Sequence, residues 1–210
     1  MDKLDSQDFQ NILGVFAKTI IARRDDLNEL DGKLGDADFG TSISGGCVAL
    51  EALLPELSQS AAGMVLGKAG MTLVKSMGGA SGPLFGTIFM RAGKELGSAP
   101  AAGVAELARM FAASLEGVKT LGKSNEGDKT LIDALAPASR ALARAAARGA
   151  ALPEALAEAC AAAEQGVEAS KAMVANRGRA HYVGERGIGH QDAGATAIHL
   201  LFKVFADYAK

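Results

Sequence analysis

Apolar residues recur at helical spacing along nearly the whole chain. The first such stretch follows an Asp5–Ser6 cap and consists of Phe9, Ile12, Leu13, Phe16 and Ile20. Intervals of three and four residues place these side chains on one face of a helix. The pattern therefore predicts a single amphipathic helix over residues 6–29.

Seven further helices are predicted by the same criterion. They run from Thr41 to Pro55, over about 60–76, from Ser81 through Ala92, from Val104 through Val118, over 130–148, from Pro153 through Val167, and from Ala197 through Tyr208. Pro137 lies close enough to the start of the sixth to kink it without breaking it. No segment alternates β-branched residues, and no stretch has the composition of a linker. We therefore predict an all-α fold, a single domain over residues 1–210 built as a barrel or bundle of eight antiparallel, up-and-down helices.

Composition narrows the class of protein. The 210 residues are 49% hydrophobic, carry a net charge of −2 and include no tryptophan. The lack of basic clusters argues against nucleic-acid binding. No apolar run approaches the roughly 18 residues of a membrane span, and residues 1–5 do not resemble a signal peptide. A cytoplasmic protein with Cys47 and Cys160 as reduced thiols is expected.

A short acidic loop between the first two predicted helices carries the clearest chemistry. Asp31, Asp36 and Asp38 lie within eight residues, interleaved with glycines. Carboxylates this dense repel one another unless a cation lies between them, and Mg²⁺ is commonly held by carboxylates together with substrate phosphates. The following Gly40-Thr41-Ser42 opens a helix, whose N-terminus suits an anion. Spacing alone leaves a solvated acidic turn equally open.

Three other loops are rich in glycine and polar residues. Residues 76–83 precede a helix and suit a phosphate, although a tight interhelical turn is the favoured interpretation. Residues 121–130 are best explained as a capped connection, with Asp128 or Thr130 as the N-cap. Residues 176–195 form an unusually long irregular stretch, which favours a lid or binding loop. All four loops follow odd-numbered helices, so an up-and-down bundle places them at one end as a composite pocket.

Four motifs occur in order along the chain. They are Leu-Gly-Asp-Ala-Asp-x-Gly, Gly-Gly-Ala-Ser-Gly-Pro-Leu-Phe-Gly-Thr, Gly-Asp-Lys-Thr, and Gly-Arg-Ala-x-Tyr-x-Gly-Glu-Arg-x-Ile-Gly-His-Gln-Asp-x-Gly-Ala. From Asp31 to Tyr208 the sequence resembles the nucleotide-binding L subunits of dihydroxyacetone kinases, which also form the C-terminal domain of the fused, ATP-dependent kinases. The resemblance implies an eight-helix barrel that binds a nucleotide at one end through two Mg²⁺ ions.

The resemblance also implies roles for individual residues. Asp31, Asp36 and Asp38 would be the metal ligands, and no residue of the chain would act as a covalent catalyst. The nucleotide-binding residues would be Phe39, Gly40, Thr41, Ser42, Ala80, Ser81, Gly122, Thr130, Leu131, Arg179, Asp192, Ala193 and Gly194. Two of these depart from the family pattern, since Phe39 stands where His or Cys is usual and Ala193 replaces a proline.

The implied function is a phosphoryl relay. Such a subunit takes a phosphoryl group from a phosphohistidine on an M subunit and passes it, through bound ADP, to dihydroxyacetone on a K subunit. The lack of a second domain in this sequence favours that interpretation. Two alternatives remain open: a two-component kinase that exchanges ATP and acts on dihydroxyacetone or a related short sugar such as erythrulose, and a nucleotide-bound regulatory module that docks onto a transcription factor.

Overall fold

Nine α-helices account for most of the chain, which the computed structural model describes from residue 1 to residue 210. The helices are α1 (Ser6–Ala22), α2 (Arg24–Gly32), α3 (Phe39–Leu53), α4 (Ala62–Ser76), α5 (Ser81–Leu96), α6 (Val104–Gly122), α7 (Ile132–Ala147), α8 (Leu152–Ser170) and α9 (Ala193–Tyr208). Short 3₁₀ helices span Leu54–Leu57 and Arg179–Gly187. Two-residue strands, β1 (Leu4–Asp5) and β2 (Ala101–Ala102), pair antiparallel. The all-α class is confirmed, and the two small strands were not predicted.

The predicted first helix over residues 6–29 is divided in two. Arg23 has φ −101° and ψ 13°, which ends α1 and begins α2. Asp25 and Asp26 occupy the first turn of α2, where acidic side chains stabilise a helix N-terminus. Ile20 and Leu27 are both buried and seven residues apart, the spacing that puts two side chains on one face of a continuous helix. The hydrophobic pattern therefore could not reveal the break, and the prediction of eight helices becomes nine.

The observed helix ends agree with the predicted ones in part. At the start of α1, Asp5 Oδ1 accepts the Asp8 N–H at 3.0 Å and Asp8 Oδ2 accepts the Asp5 N–H at 2.8 Å, which confirms the expected cap. Helix α7 continues through Pro137, as predicted. Neither predicted N-cap lies at the boundary of α7, which begins after Leu131, although Thr130 Oγ1 still accepts the Ile132 N–H at 3.2 Å.

Helix packing closes on itself. Helix α1 packs against α3, each helix from α3 onward packs against the next, and α9 returns to pack against α1. Helix α2 lies against α3 and α9. One continuous core of 54 buried residues fills the interior, and it includes aromatic pairs such as Phe111–Phe202 with ring centroids 4.6 Å apart. None of the helices combines the length and apolar character needed to cross a bilayer.

The chain alternates between the two ends of this closed arrangement. One end holds the strand pair, and it also holds the contact of Ser6 Oγ with the Ser60 carbonyl and the bond from the Tyr208 hydroxyl to Asp8. The four predicted functional loops follow α2, α4, α6 and α8, and side-chain contacts described below join them to one another. Cys47 and Cys160 are free thiols, as expected.

Glycines let α4 and α5 approach closely. A Cβ added to Gly70 would lie 2.5 Å from the Gly86 carbonyl oxygen, and one added to Gly86 would lie 2.6 Å from the Gly70 carbonyl oxygen. Gly63 and Gly93 face each other in the same way one level further along the pair. A methyl group cannot come this close to a carbonyl oxygen, so α4 and α5 can pack at this distance only because these positions are glycine.

Two glycines of α4 make a matched test of this packing. We expect Gly70→Ala to lower the free energy of unfolding by about 1–3 kcal/mol, because the new methyl group must push α5 away. Gly67 has no neighbouring atom within 4 Å of a Cβ position. Gly67→Ala should therefore raise that free energy by about 0.5–1 kcal/mol through helix propensity alone. Chemical denaturation measures both, and equal effects of the two variants would contradict the packing argument.

Candidate functional site

The three carboxylates of the acidic loop come together at the junction of α2 and α3. Asp31 lies in the last turn of α2, while Asp36 and Asp38 lie in the loop, and one oxygen of each lies within 4.8 Å of the others. Asp31 is partly buried and the other two are exposed. Between them, Ala37 adopts φ +61°, a left-handed conformation that costs a non-glycine residue about 1–2 kcal/mol. The backbone therefore accepts strain in order to aim the carboxylates at one point.

The start of α3 is held by side chains of α2. Asp31 Oδ2 accepts the N–H groups of Asp38 at 3.0 Å and Phe39 at 3.2 Å, and Asn28 Oδ1 accepts the Thr41 N–H at 2.9 Å. The N–H groups of Asp38, Phe39 and Thr41 are therefore already engaged, although the sequence suggested that this helix start is free for a phosphate. Sequence reasoning missed Asn28, although its spacing of three residues from Asp31 places both on one helix face.

Gly40 and Phe39, at the start of α3, pack closely against neighbouring helices. A Cβ on Gly40 would lie 2.0 Å from the Arg24 carbonyl oxygen, so only glycine lets α3 start this close to α2. The Phe39 ring packs against Phe85, with ring centroids 6.0 Å apart. The Phe39 side chain therefore packs against the core, and its backbone N–H is the part of the residue that contacts Asp31.

The glycine-rich loop after α4 contacts the first turn of α3 through Ser42. Ser42 Oγ accepts the Gly78 N–H at 2.9 Å, and Ser81 Oγ donates to the Gly78 carbonyl at 3.0 Å. Ala80 is exposed at the boundary of α5 and Ser81 is its first residue. Gly79 has φ +66° with open space around it. The geometry therefore places Ser42, Ala80 and Ser81 beside one another.

The loop between α6 and α7 is organised by a buried carboxylate. Asp133 is 2% exposed, and its two oxygens accept the N–H groups of Gly127 at 2.5 Å and Thr130 at 2.6 Å. Burial raises the pKa of Asp133 above its ordinary value, against the effect of these two bonds. Leu131 is also buried, and Gly122 ends α6 next to Leu84. Sequence reasoning did not single out Asp133, which orders this loop from beneath.

Residues 176–191, which we call the arginine loop, reach across to the acidic cluster. Arg179 Nη1 forms an ion pair with Asp36 and lies 3.8 Å from Asp38 Oδ2. At the root of the loop, Asn176 Nδ2 donates to Asp128 Oδ1 at 3.2 Å. Much of the loop consists of two short 3₁₀ segments on either side of a kink at Gly184, rather than irregular chain. The arginine loop thus joins the acidic loop to the α6–α7 loop.

The predicted Asp192-Ala193-Gly194 turn is the beginning of α9. Asp192 is the N-cap, and its Oδ2 accepts the Ala195 N–H at 2.7 Å. Ala193 is buried, and a Cβ on Gly194 would lie 3.3 Å from Leu131 Cβ. Burial raises the pKa of Asp192 to about 7, and the charges of Asp133 and Asp31 act in the same direction. The Asp192 carboxylate therefore caps α9, and burial disfavours its charged form.

The acidic cluster suits a hard divalent cation. Three carboxylate oxygens within 4.8 Å of one another are the ligand type that Mg²⁺ prefers. Two of the three carboxylates already attract a cationic group, the Arg179 guanidinium. The two exposed members leave room for waters and for phosphate oxygens, which a Mg²⁺ ion usually retains as further ligands. The residues present therefore fit a magnesium–phosphate site.

Comparison with known proteins identifies what this arrangement is similar to. Residues 33–207 match the DAK2 domain family. The chain is 39% identical over 184 residues to the ADP-binding subunit DhaL of the PEP-dependent dihydroxyacetone kinase of Escherichia coli K12, covering 88% of each chain. It is 35% identical over 190 residues to the ADP-binding subunit DhaL of PEP-dependent dihydroxyacetone kinase 1 of Listeria innocua, covering 90% of each chain.

A solved structure shares the fold. The dihydroxyacetone kinase from C. freundii in complex with AMP-PNP and Mg²⁺ superposes with a TM-score of 0.73 at 28% identity. The match covers 99% of this chain and 35% of that longer chain. The present chain therefore corresponds to about a third of that kinase.

Removing one carboxylate tests the magnesium site. Because Asp36 is exposed and makes no contact with the core, Asp36→Ala should leave the helical circular-dichroism spectrum unchanged. We expect it to weaken Mg²⁺-dependent ADP binding by a factor of at least about ten, measured by titration calorimetry. Asp26→Ala, on the exposed side of α2, is the matched control and should bind like wild type. Unchanged affinity of Asp36→Ala would show that this residue is not a metal ligand.

The raised pKa of Asp192 predicts a pH dependence. The folded protein keeps a proton on Asp192 up to about pH 7, whereas the unfolded chain loses it near pH 4. Stability should therefore fall as the pH rises through this window, by at most about 1.4 kcal/mol per pH unit. Asp192→Asn, which can still accept the Ala195 N–H, should flatten this dependence.

Urea unfolding at pH 5 and pH 8, with a chelator and no nucleotide, measures the effect. Asp207→Asn is the control, because hydrogen bonds from Lys210 and Lys203 lower the pKa of Asp207 and its titration lies below this window. Parallel pH profiles for wild type and Asp192→Asn would contradict the assignment.

Proposed function

Because the chain belongs to the DAK2 domain family, we propose that it is the ADP-binding subunit of a dihydroxyacetone kinase. In this role it takes a phosphoryl group from a phosphohistidine on an M subunit and delivers it, through bound ADP, to dihydroxyacetone on a K subunit. The observation that carries the proposal is that four loops are joined to one another at one end of the helices, and one of them carries a cluster of three carboxylates. Relatives named as ADP-binding subunits match the chain over about nine-tenths of both lengths, which supports the PEP-dependent form.

Asp31, Asp36 and Asp38 would hold two Mg²⁺ ions against the diphosphate of the nucleotide. When bound, the ions neutralise the phosphates and the charge that develops on the transferring group. Asp31 has a second task, since it also caps the start of α3 and so fixes the acidic loop relative to that helix. The electrostatic demand of the site is met by positioned ligands, and no covalent residue is required.

The nucleotide would lie across the four loops. Thr41 and Ser42 offer hydroxyl groups to the phosphates, while the backbones of Phe39 and Gly40 line the same edge. Ala80, Ser81, Gly122, Thr130 and Leu131 would border the nucleoside, and the Asp192-Ala193-Gly194 segment would close it from the side of α9. Phosphate binding at the start of α3 would compete with Asn28 for the Thr41 N–H.

Arg179 would assist the transfer. Its side chain is 62% exposed and reaches Asp36 from a loop that is anchored elsewhere. Asp36 and Asp38 would hold the cation, and the Arg179 guanidinium, once released from these carboxylates, would be free to contact the phosphoryl group. Arginine suits that task because its planar donors match phosphate oxygens.

The acceptor sugar and the phosphohistidine would come from partner subunits. A groove of about 560 Å³ on this chain lies between α1 and α9, and it contains none of the residues assigned to the nucleotide. The loop end is open, so a partner can cover the phosphate and exclude water when the complex forms.

Reconstitution with partner subunits tests this function. If ADP is a tightly held cofactor, protein purified in Mg²⁺ without added nucleotide should retain it. The bound ADP should also raise the melting temperature, because a ligand that binds only the folded state stabilises it. With K and M subunits and a phosphoenolpyruvate-driven phosphate supply, it should form dihydroxyacetone phosphate. Arg179→Ala should slow this transfer by at least about tenfold. Arg144→Ala, on the exposed face of α7, should leave the rate unchanged.

Two outcomes would contradict the proposal. Nucleotide-free protein that turns over ATP with a K subunit alone would assign the chain to the ATP-dependent kinases. Equal rates for Arg179→Ala and wild type would place the transfer site elsewhere on the molecule.

A further inference from the structure

One buried lysine of the site has no role in the mechanism described so far. Lys129 is 1% exposed, and its Nζ donates to two backbone carbonyls, that of Met173 at 3.1 Å and that of Gly187 at 2.7 Å. A fully buried ammonium group is rare, because removing it from water costs several kcal/mol that its partners must offset. The Gly-Asp-Lys-Thr motif therefore contains a charged group whose presence needs an explanation.

The two carbonyls lie on opposite sides of the base of the arginine loop. Met173 precedes the loop and Gly187 lies near its end, while the Gly189 N–H donates to the Lys171 carbonyl at 2.7 Å beside them. We call these four residues the neck of the loop. Lys129 lies on the α6–α7 loop, and its side chain bridges the two segments of the neck, the one before the arginine loop and the one near its end.

Gly187, one of the two residues that Lys129 contacts, also connects the neck with the acidic loop. Gly187 is buried, and a Cβ on it would lie 2.9 Å from Cδ2 of Leu34, a buried residue of the acidic loop. The bond from Lys129 thus holds Gly187 against Leu34, and the loop that starts from this neck carries Arg179 to Asp36. Moving Gly187 would move the arginine relative to the carboxylates.

The backbone of Lys129 is also constrained. Its φ is +58°, which lysine rarely adopts, and Asp133 holds the surrounding loop by accepting the N–H groups of Gly127, two residues before it, and Thr130, the next residue. Burial lowers the pKa of Lys129, while the charge of Asp192 opposes this and favours the ammonium form. A strained backbone and a desolvated cation are retained together, which is typical of functional positions.

We propose that Lys129 is a positioning residue that clamps the neck of the arginine loop and so holds Arg179 over the acidic cluster. The inference deepens the proposed function, on which its nucleotide readout rests. A lysine with a purely structural role would predict that its loss lowers the stability of the whole fold, because two buried carbonyls lose their donor. A clamp predicts instead that the loop loosens while the barrel remains intact.

Limited trypsin digestion tests the clamp without nucleotide. Arg177, Arg179 and Arg186 have exposed side chains, so their cleavage rate reports how often the loop backbone opens. In Lys129→Met we expect cleavage at these sites to accelerate by at least about tenfold. The melting temperature followed by circular dichroism should stay within a few degrees of wild type. Lys171→Met is the control, because the half-buried Lys171 side chain pairs with Glu168 and donates to no carbonyl of the neck, so this variant should digest like wild type.

Two further measurements separate positioning from general stability. Lys129→Arg keeps the charge and the donors, and it should restore most of the protection from trypsin. Calorimetry in Mg²⁺ should show ADP binding weakened by at least about tenfold in Lys129→Met and near normal in Lys129→Arg. Should Lys129→Met fail to fold, Lys129→Gln is compared in the same way, because its amide keeps one donor within reach of the neck.

Unchanged cleavage of the loop in folded Lys129→Met would overturn the inference, and so would faster cleavage with unaltered ADP affinity. If wild-type protein itself does not bind ADP in Mg²⁺, the proposed function is wrong, and the digestion result still decides whether Lys129 clamps the loop.

Discussion

Mutual repulsion of three carboxylates is the constraint around which the loop end of this molecule is organised. Asp31, Asp36 and Asp38 lie within 4.8 Å of one another, so the chain must hold them together against their charge. It does so from α2, where Asp31 accepts two N–H groups of the following segment and Asn28 accepts a third. The break at Arg23 makes α2 a helix separate from α1, and Gly40 lets α3 begin against α2. The contacts between α2 and the start of α3 thus determine both the packing of these helices and the geometry of the carboxylates.

Backbone strain is gathered at the same end. The three non-glycine residues with positive φ are Ala37, Lys123 and Lys129, and each lies in a loop of the site. Such conformations persist only where the surroundings over-determine them. The surroundings here are the closed circuit of helices, whose core is continuous and whose α4–α5 pair is locked by facing glycines. A rigid scaffold of this kind can hold strained loops in one arrangement and keep their polar groups aimed.

Much of the fold could be predicted from the sequence because helical periodicity is a local property. The cap at Asp5, the tolerance of Pro137 and the alternation that brings four loops together all depend on residues close in the chain. The break at Arg23 could not be predicted, because Ile20 and Leu27 have the seven-residue spacing of a continuous helix. The bonds from Lys129 were equally hidden, because they join residues 44 and 58 positions apart. Likewise, Gly40 suggested a phosphate loop, and its tight packing against Arg24 emerged only in three dimensions.

The site contains two cations whose surroundings give them opposite behaviour. Arg179 is 62% exposed, and an ion pair in water contributes only about 0–1 kcal/mol, so leaving Asp36 costs little. Lys129 is buried, and withdrawing it would leave two carbonyls without a donor and an ammonium group without compensation. One cation is therefore free to exchange partners while the other is fixed. A loop anchored by a buried lysine and tipped with an exposed arginine can release its tip without losing its place, which is what a site that must admit a metal, a nucleotide and a partner in turn requires.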